Sequence, residues 1–246
     1  MPRFFENICL NVNDEFAHNE DNSKHSAKVL RMKLNDDLTV CNGAKDYECK
    51  IINITADSVI CKVNNIAEIA SEPSVSVTLY QCLPKGDKFE TVIQKSVELG
   101  VKRIVPVLSS RCVSRPDDKK GAKKIERYNK IAKSACEQSG RGEIVEVCDI
   151  MGFDKALSQI SDSDLSIMFY EGGGKSLKQI LGNFDNDNIK NIAVLIGPEG
   201  GFSEDEVKKS QDMSITTATL GKRILRTETA PLAALTAIML LTDNME

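Results

Sequence analysis

The sequence is poor in the residues that build metal sites: it has only two histidines, His18 and His25, and its eight cysteines form no C-x-x-C pair. Zinc sites of the usual spacing need closer clusters, so we expect no bound metal and interpret the cysteines as reduced, mostly buried side chains. No segment reaches the roughly 20 apolar residues of a membrane span. The N-terminal stretch MPRFFENICL also lacks the apolar core and cleavage site of a secretory signal, so we expect a cytoplasmic protein without membrane contact.

An excess of positive charge is missing as well. Lys and Arg number 32 against 36 Asp and Glu, which gives a formal net charge of −4 and argues against a generally basic nucleic-acid binder. The distribution is uneven, however, because nine basic and only three acidic residues lie between Arg111 and Lys133. Such a run most often forms a solvated helix face, and a phosphate-contacting patch is the alternative.

The most informative stretch of the chain lies between Asn191 and Leu241. Within it, the apolar run Ile192 to Ile196 stops at the sequence GPEGG, and the S-x-x-E spacing of Ser203 and Glu206 predicts a capped helix start. Glycines at such a turn admit positive φ and a close ligand approach, and a helix start adds exposed N–H donors. A plain connection between a strand and a helix is the alternative.

A second glycine-bearing loop follows the next strand pattern. Residues 214–220 have that pattern and lead into GKRILRTETAP at 221–231, where Pro231 suits the first turn of an apolar helix. Because the carboxyl ends of successive parallel strands face one edge of a sheet, both loops should line one ligand site.

A third glycine turn, EGGGKS at 171–176, follows the predicted strand 165–170. It invites a P-loop interpretation, but Phe169 stands where the pattern requires its first glycine, so a nucleotide-phosphate-binding enzyme of that kind is rejected. The turn instead supplies a third loop to the same edge of the sheet.

Short strand patterns separated by turn residues fill the first part of the chain, at 38–41, 47–54 and 58–63. Closely spaced strands are typical of a small β barrel. Residues 68–74 have the composition of a linker, and from Val75 onward strands alternate with helices, which predicts a mainly parallel, covered sheet. We therefore expect two domains, at residues 1–70 and 74–246.

Two segments of this sequence, LIGPEGGFSEDEV at 195–207 and LGKRILRTETAPLAAL at 220–235, resemble the signature segments of the ribosomal RNA small subunit methyltransferase E family. That family belongs to the SPOUT superfamily of knotted, S-adenosylmethionine-dependent methyltransferases. Further similar segments, which together span almost the whole chain in one order, are MPRFF at 1–5, HSAKVLR at 25–31, KGDKFETVIQKSVELGV at 85–101 and ACEQSGR at 135–141.

The resemblance implies a PUA-like, RNA-binding β-barrel domain at 1–70 and a SPOUT α/β domain with a parallel sheet and a trefoil knot at 74–246. It implies transfer of a methyl group from S-adenosyl-L-methionine to N3 of a uracil in the 16S rRNA of the small ribosomal subunit, by a homodimer. The alternative is a non-catalytic RNA-binding or ribosome-assembly protein with the same fold. The intact glycine loops argue against that alternative.

The resemblance also implies which residues contact the cofactor and the RNA. Candidate cofactor-binding residues in the two later loops are Leu195, Ile196, Gly197, Gly200, Gly201, Leu220, Gly221, Ile224, Leu225 and Thr227. Candidate RNA contacts are Arg3, His25, Lys28, Arg31, Arg111 and Arg141. A structural hydrogen bond is the alternative for His25, and a helix-end dipole partner is the alternative for Arg141.

The proton on N3 of uracil must leave before or during methyl transfer, so the reaction needs a general base or a cation that stabilises the uracil anion. Glu199 and Arg226 are the favoured catalytic residues because each lies inside a cofactor loop, with Glu228 as another possible base and Arg223 as another possible cation. A carboxylate that accepts backbone N–H bonds to hold its glycine turn is the alternative role for Glu199.

Overall fold

The computed structural model describes residues 1–182 and 188–245. It divides into two compact units, the first formed by Met1–Glu72 with Cys136–Ile144 and the second by Pro73–Ala135 with Val145–Glu246. Within the described ranges, no helix combines the length and apolar composition needed to cross a membrane. In the same ranges, no cluster of three or more His, Cys, Asp or Glu side chains is arranged to hold a metal ion.

A five-stranded sheet in the order β1-β3-β4-β5-β2 forms the first unit. Its elements are β1 (Arg3–Phe5), β2 (Glu15–Ala17), α1 (Glu20–Lys24) running into a π-helical turn (His25–Val29), β3 (Asp37–Cys41), β4 (Lys45–Ile54) and β5 (Val59–Glu68). Alternation in β4 buries Tyr47, Cys49 and Ile51. Two register shifts between β4 and β5 bend the hairpin, as bulges do, and help the sheet to curl around this core.

The segment Cys136–Ile144, which the sequence places in the second domain, groups with the first unit. The Arg141 guanidinium donates two hydrogen bonds to the Glu72 carboxylate, at 2.9 and 2.6 Å, and the Gly142 N–H donates a third at 2.7 Å. The Cys41 thiol donates to the Gly142 carbonyl. These contacts join residues far apart in sequence and hold the segment Cys136–Ile144 to Glu72 and Cys41 within the first unit.

A buried acidic residue organises the start of the first unit. One Glu6 carboxylate oxygen lies 2.5 Å from His18 Nδ1 and accepts hydrogen bonds from the Asn22 side chain at 2.8 Å and the Asn19 N–H at 3.2 Å. Burial by itself raises the pKa of Glu6, but the contacts with His18, Asn22 and Asn19 outweigh it and lower the pKa below its ordinary value.

Because the folded-state pKa of Glu6 is lowered, its carboxylate stabilises the first unit above the unfolded-state pKa, and this contribution is lost as pH falls through the folded-state value. We expect Glu6→Gln to lower the free energy of unfolding at neutral pH by roughly 2–3 kcal/mol, since His18 loses its charged partner. In urea titrations at several pH values, the free energy of unfolding of this variant should fall less steeply than that of the wild type as the pH is lowered. Glu15→Gln, at an exposed position, is the matched control.

An eight-stranded sheet, in which every strand pairing is parallel, forms the second unit. The order is β11-β13-β10-β12-β6-β7-β8, with β9 also pairing with β7. The strands are β6 (Ser76–Cys82), β7 (Arg103–Leu108), β8 (Glu146–Val147), β9 (Met151–Gly152), β10 (Leu165–Phe169), β11 (Lys175–Ser176), β12 (Asn191–Ile196) and β13 (Thr216–Thr219). The parallel sheet predicted from strand and helix alternation is confirmed.

The helices of the second part of the chain are α2 (Lys88–Glu98), α3 (Asp118–Ser139), α4 (Phe153–Ser161), α5 (Leu177–Leu181), α6 (Glu204–Asp212) and α7 (Ala230–Leu241). The predicted capping box opens α6: the Ser203 hydroxyl accepts from the Glu206 N–H, and the Glu206 carboxylate accepts from the Ser203 N–H. The other oxygen of Glu206 accepts from the Ser110 N–H at 2.7 Å. The helix start is thereby tied to the loop after β7.

Candidate active site

A cleft of about 500 Å³ opens where β10, β12 and β13, which are neighbours in the sheet, reach their carboxyl ends. Its lining consists of residues 169–171, 196–201 and 219–227, which are the ends and loops of these three strands, together with Lys88 of α2 and Ala230 of α7. The volume lies within the ordinary range of small-molecule sites, about 300–1,000 Å³. Two of the glycine loops identified in the sequence therefore line one cavity, and the third contributes Glu171, the first residue of its turn.

All of the predicted cofactor-binding residues except Leu195 line the cleft, and so do Glu199 and Arg226. Leu195 is fully buried inside β12, where it pairs with Met168 of β10 and Tyr80 of β6. The strand continues through Ile196, so the cavity begins one residue after Leu195.

Gly221 leaves space in the wall of the cleft. Its φ of +106° is one that L side chains rarely adopt, and no atom lies within 4 Å of the position that a Cβ would take. A side chain at this position would project into open space beside the cavity. The glycine therefore allows the backbone of this loop to be approached closely by a ligand.

A buried polar network joins two of the three loops. The Thr227 hydroxyl donates to the Gly197 carbonyl at 2.7 Å, and the Gln81 amide donates to the Thr227 hydroxyl at 3.1 Å and to Cys82 O at 3.0 Å. Gln81 is fully buried at the end of β6. Sequence reasoning missed it, although a glutamine inside the otherwise mostly apolar strand SVTLYQC was an available signal.

Lys88 joins the same two loops from the α2 side. Its ammonium nitrogen lies 3.1 Å from Glu199 Oε1 and 3.3 Å from Glu228 Oε2. Hydrogen bonds to Glu199 and Glu228 raise the pKa of Lys88 above its ordinary value, and the one to Glu199 has the larger effect. Lys88 therefore stays charged and holds Glu199 of the cleft and the neighbouring Glu228, a role that sequence reasoning did not assign to it.

Glu199 is held as a carboxylate. Partial burial on its own raises the pKa of Glu199, but bonds from its own N–H, the Lys85 N–H at 3.1 Å and the Lys88 ammonium lower the pKa below its ordinary value. A carboxylate with a lowered pKa is a weak proton acceptor. These contacts favour the alternative role for Glu199, in which it holds its glycine turn.

The loop after β13 presents positive charge to the cleft. Lys222, Arg223 and Arg226 all line it and are exposed, and across the described ranges none of their side chains makes a hydrogen bond or ion pair. Arg111, from the loop after β7, donates to the Gly200 carbonyl at 2.8 Å and so lies at the glycine turn. Of these side chains, Arg226 and Arg223 match the predicted need for a cation near the reacting base.

The other predicted RNA contacts lie in the first unit. Arg3 is mostly buried and pairs with Asp46, His25 packs its ring edge-on against Phe4, and Arg31 is exposed with a positive φ of 55°. Lys28 is also exposed, on the π-helical turn. Exposed Arg31 and Lys28 are thus open to a ligand, whereas the Arg3 guanidinium already has an acidic partner.

Arg141 is only 3% exposed and is engaged by Glu72. A guanidinium held by two hydrogen bonds to a carboxylate has a strong partner already. Its placement therefore favours a structural role within the first unit over a contact with phosphate.

Comparison with known proteins agrees with this architecture. A family profile described as "RNA methyltransferase domain" matches residues 71–239, and one described as "RNA methyltransferase PUA domain" matches residues 19–64. The fold and the cleft thus define an RNA methyltransferase with an N-terminal PUA domain. The predicted fold class is confirmed in these two domains.

Full-length relatives identify the family. The chain is 35% identical to Ribosomal RNA small subunit methyltransferase E of Bacillus subtilis, over 99% of this chain and 98% of that protein. A crystal structure of the Neisseria gonorrhoeae protein of the same name, bound to S-adenosyl methionine, matches with a TM-score of 0.86 and 34% identity over 98% of both chains. The chain belongs to the ribosomal RNA small subunit methyltransferase E family.

A methyltransferase structure from Legionella pneumophila, in complex with the bound cofactor S-adenosylmethionine, also matches the whole chain. Its TM-score is 0.86, with 29% identity over 97% of this chain and 96% of that one. The cofactor is therefore present in two solved relatives that share this fold.

Proposed function

We propose that this protein transfers the methyl group of S-adenosyl-L-methionine to N3 of a uracil in 16S rRNA. The observation that carries the proposal is the cleft at adjacent strand ends, which is lined by two glycine loops and by Glu171 of a third. Membership of the family supplies the reaction class, and two relatives bind the same cofactor.

The residues of the cleft fit this cofactor. Bound there, S-adenosylmethionine would supply an activated methyl group on a sulfonium centre. Gly221 leaves room for a ligand against the backbone, and the half-buried Leu220 and Leu225, with the buried Ile196, add apolar surface for an adenine ring. Gln81 and Thr227 hold two of the loops at a fixed spacing, so the binding surface exists before the ligand arrives.

Methyl transfer forms a bond between N3 and the methyl carbon while the bond from that carbon to sulfur breaks, and the N3 proton passes to solvent water. In our proposal Arg226 stabilises the negative charge that develops on the uracil, because it lines the cleft as a cation with no protein partner among the described residues. Glu199 accepts hydrogen bonds from the Lys85 N–H and the Lys88 ammonium, and in this proposal its role is to hold the glycine turn in place.

RNA binding is proposed for both domains, at residues 1–70 and 74–246. In the first, exposed Lys28 and Arg31 are the best-supported contacts, ahead of Arg3, His25 and Arg141. In the second, α3 displays exposed basic residues for phosphate, including Lys119 and Lys123, and Arg111 lies at the edge of the cleft. The trefoil knot and a cytoplasmic location are proposed from family membership.

A homodimer is part of the proposal. On α7, Leu240 is 61% exposed and Leu232 and Leu241 are half-buried, which leaves apolar surface uncovered on this helix. A second copy of the chain would bury it. Sedimentation analysis that found only the mass of one chain at assay concentrations would overturn this part of the proposal.

The reaction is tested with small ribosomal subunits that lack their native base methylations. Incubation with S-adenosylmethionine labelled in its methyl group should produce 3-methyluracil in 16S rRNA, located by mass spectrometry of nuclease fragments. Labelling at another base would change the assigned substrate. Absence of cofactor binding by the wild-type chain would favour the non-catalytic RNA-binding alternative.

A further inference from the structure

Two glutamates, Glu171 and Glu199, line the cleft, and Glu228 lies beside it. Glu199 and Glu228 both hold the Lys88 ammonium. Glu171 also lines the cleft but makes no hydrogen bond or ion pair with any part of the chain that the structure describes. Glu199 and Glu228 therefore share one cation within the protein, whereas the Glu171 carboxylate is available to a ligand.

The position of Glu171 depends on a glycine in a different loop. Glu171 follows β10, and its Oε1 lies 2.0 Å from where a Cβ on Gly201 would stand, with Oε2 3.1 Å from the same point. Any side chain at 201 would displace the carboxylate, so Gly201 leaves the space that Glu171 occupies. Gly201 also has a φ of +63°, which favours glycine for a second reason.

The charge around the cavity has a definite pattern. Besides Arg226, which the proposed function assigns to the uracil, the loop after β13 contributes the cations Lys222 and Arg223, which have no partner among the described residues. The loop after β10 contributes one anion, Glu171. Unpartnered charges of both signs around one cavity are complementary to a zwitterion. S-adenosylmethionine ends in such a group, the α-ammonium and carboxylate of its methionine part.

Burial differs between the floor and the mouth of the cleft, and this difference indicates which end of the cofactor lies next to Glu171. The floor of the cleft near Gln81 and Thr227 is buried, which suits an aromatic base, whereas Glu171 is exposed at the mouth, which suits a charged amino-acid end. A carboxylate at a strand end can also bind ribose hydroxyls. A ribose, however, is neutral and offers no negative charge to the surrounding cations, whereas the methionine part carries both an ammonium and a carboxylate.

We propose that Glu171 is a further cofactor-binding residue, whose carboxylate accepts hydrogen bonds from the α-ammonium group of the methionine part. The proposal rests on the proposed function, because it assumes that S-adenosylmethionine occupies this cleft. It assigns recognition of the amino-acid end to the turn after β10, the loop whose glycine pattern first suggested a phosphate site.

Calorimetric titration of the full chain with three ligands tests this role. S-adenosylmethionine and S-adenosylhomocysteine carry the amino-acid group, whereas methylthioadenosine lacks it. In Glu171→Gln, which keeps the size of the side chain and removes its charge, we expect the first two ligands to bind roughly 10- to 100-fold more weakly. Affinity for methylthioadenosine should stay within about twofold of wild type, which also demonstrates an intact fold.

Glu204→Gln, at an exposed position in the first turn of α6, is the matched control and should leave all three affinities unchanged. Equal weakening of all three ligands in Glu171→Gln would assign the carboxylate to the nucleoside and overturn the proposal. Unchanged binding would also overturn it. If the wild-type chain bound none of the three ligands, the proposed function itself would fail, and that result is distinct from the other two.

Discussion

Replacement of Arg226 by alanine is expected to slow methyl transfer by about 100- to 1,000-fold, the usual effect of removing one preorganised group that stabilises a developing anion. Arg226 lies inside the loop after β13, lines the cleft and has no partner among the described residues. Its charge is therefore available at the moment when the uracil loses its N3 proton. Cofactor affinity should fall far less than the rate, because the effect belongs to the transition state.

Single-turnover assays at saturating cofactor, with small subunits as substrate, separate the rate from binding. Arg226→Lys keeps the charge and should recover part of the rate. Arg223→Ala is the informative comparison, since Arg223 is the other exposed arginine of this loop. A large rate loss in Arg223→Ala together with a small one in Arg226→Ala would transfer the role to Arg223.

Replacement of Gly221 by valine is expected to weaken binding of S-adenosylmethionine by roughly 10- to 100-fold, because a branched side chain would project from the wall of the cleft into the space that the ligand needs. Gly221 has a φ of +106° and no neighbouring atom within 4 Å of the Cβ position. No protein atom obstructs the new side chain, so the loss of folding stability is limited to the strain of the positive φ.

Gly43→Val provides a closely matched control, since Gly43 has a φ of +88°, lies in the first unit and also has open space at the Cβ position. Both variants carry a similar backbone strain, on the order of 1–3 kcal/mol. Calorimetry should find normal cofactor affinity in Gly43→Val and weakened affinity in Gly221→Val. Equal affinity in the two variants would mean that the cofactor does not contact the wall at Gly221.

Local features of this protein follow from its sequence. The capping box of Ser203 and Glu206 depends on residues three apart, so its spacing alone predicts where α6 begins. The alternation of strand and helix patterns after Val75 predicts the parallel sheet, because parallel strands need crossover connections. Glycine loops at the carboxyl ends of parallel strands must share one edge of the sheet. This rule predicts the cleft and most of its lining from the sequence alone.

Pairings between distant residues were decided by the tertiary structure. The placement of β10 between β12 and β13 determines that all three loops reach one cavity, and the packing of α2 brings Lys88 to Glu199 and Glu228. Periodicity and spacing report only on neighbours along the chain, whereas Lys88 lies 111 residues before Glu199 and farther still from Glu228. The sequence by itself thus determined the loops and their chemistry. The fold decided which charged side chains have partners within the protein and which, as at Glu171 and Arg226, remain for the ligands.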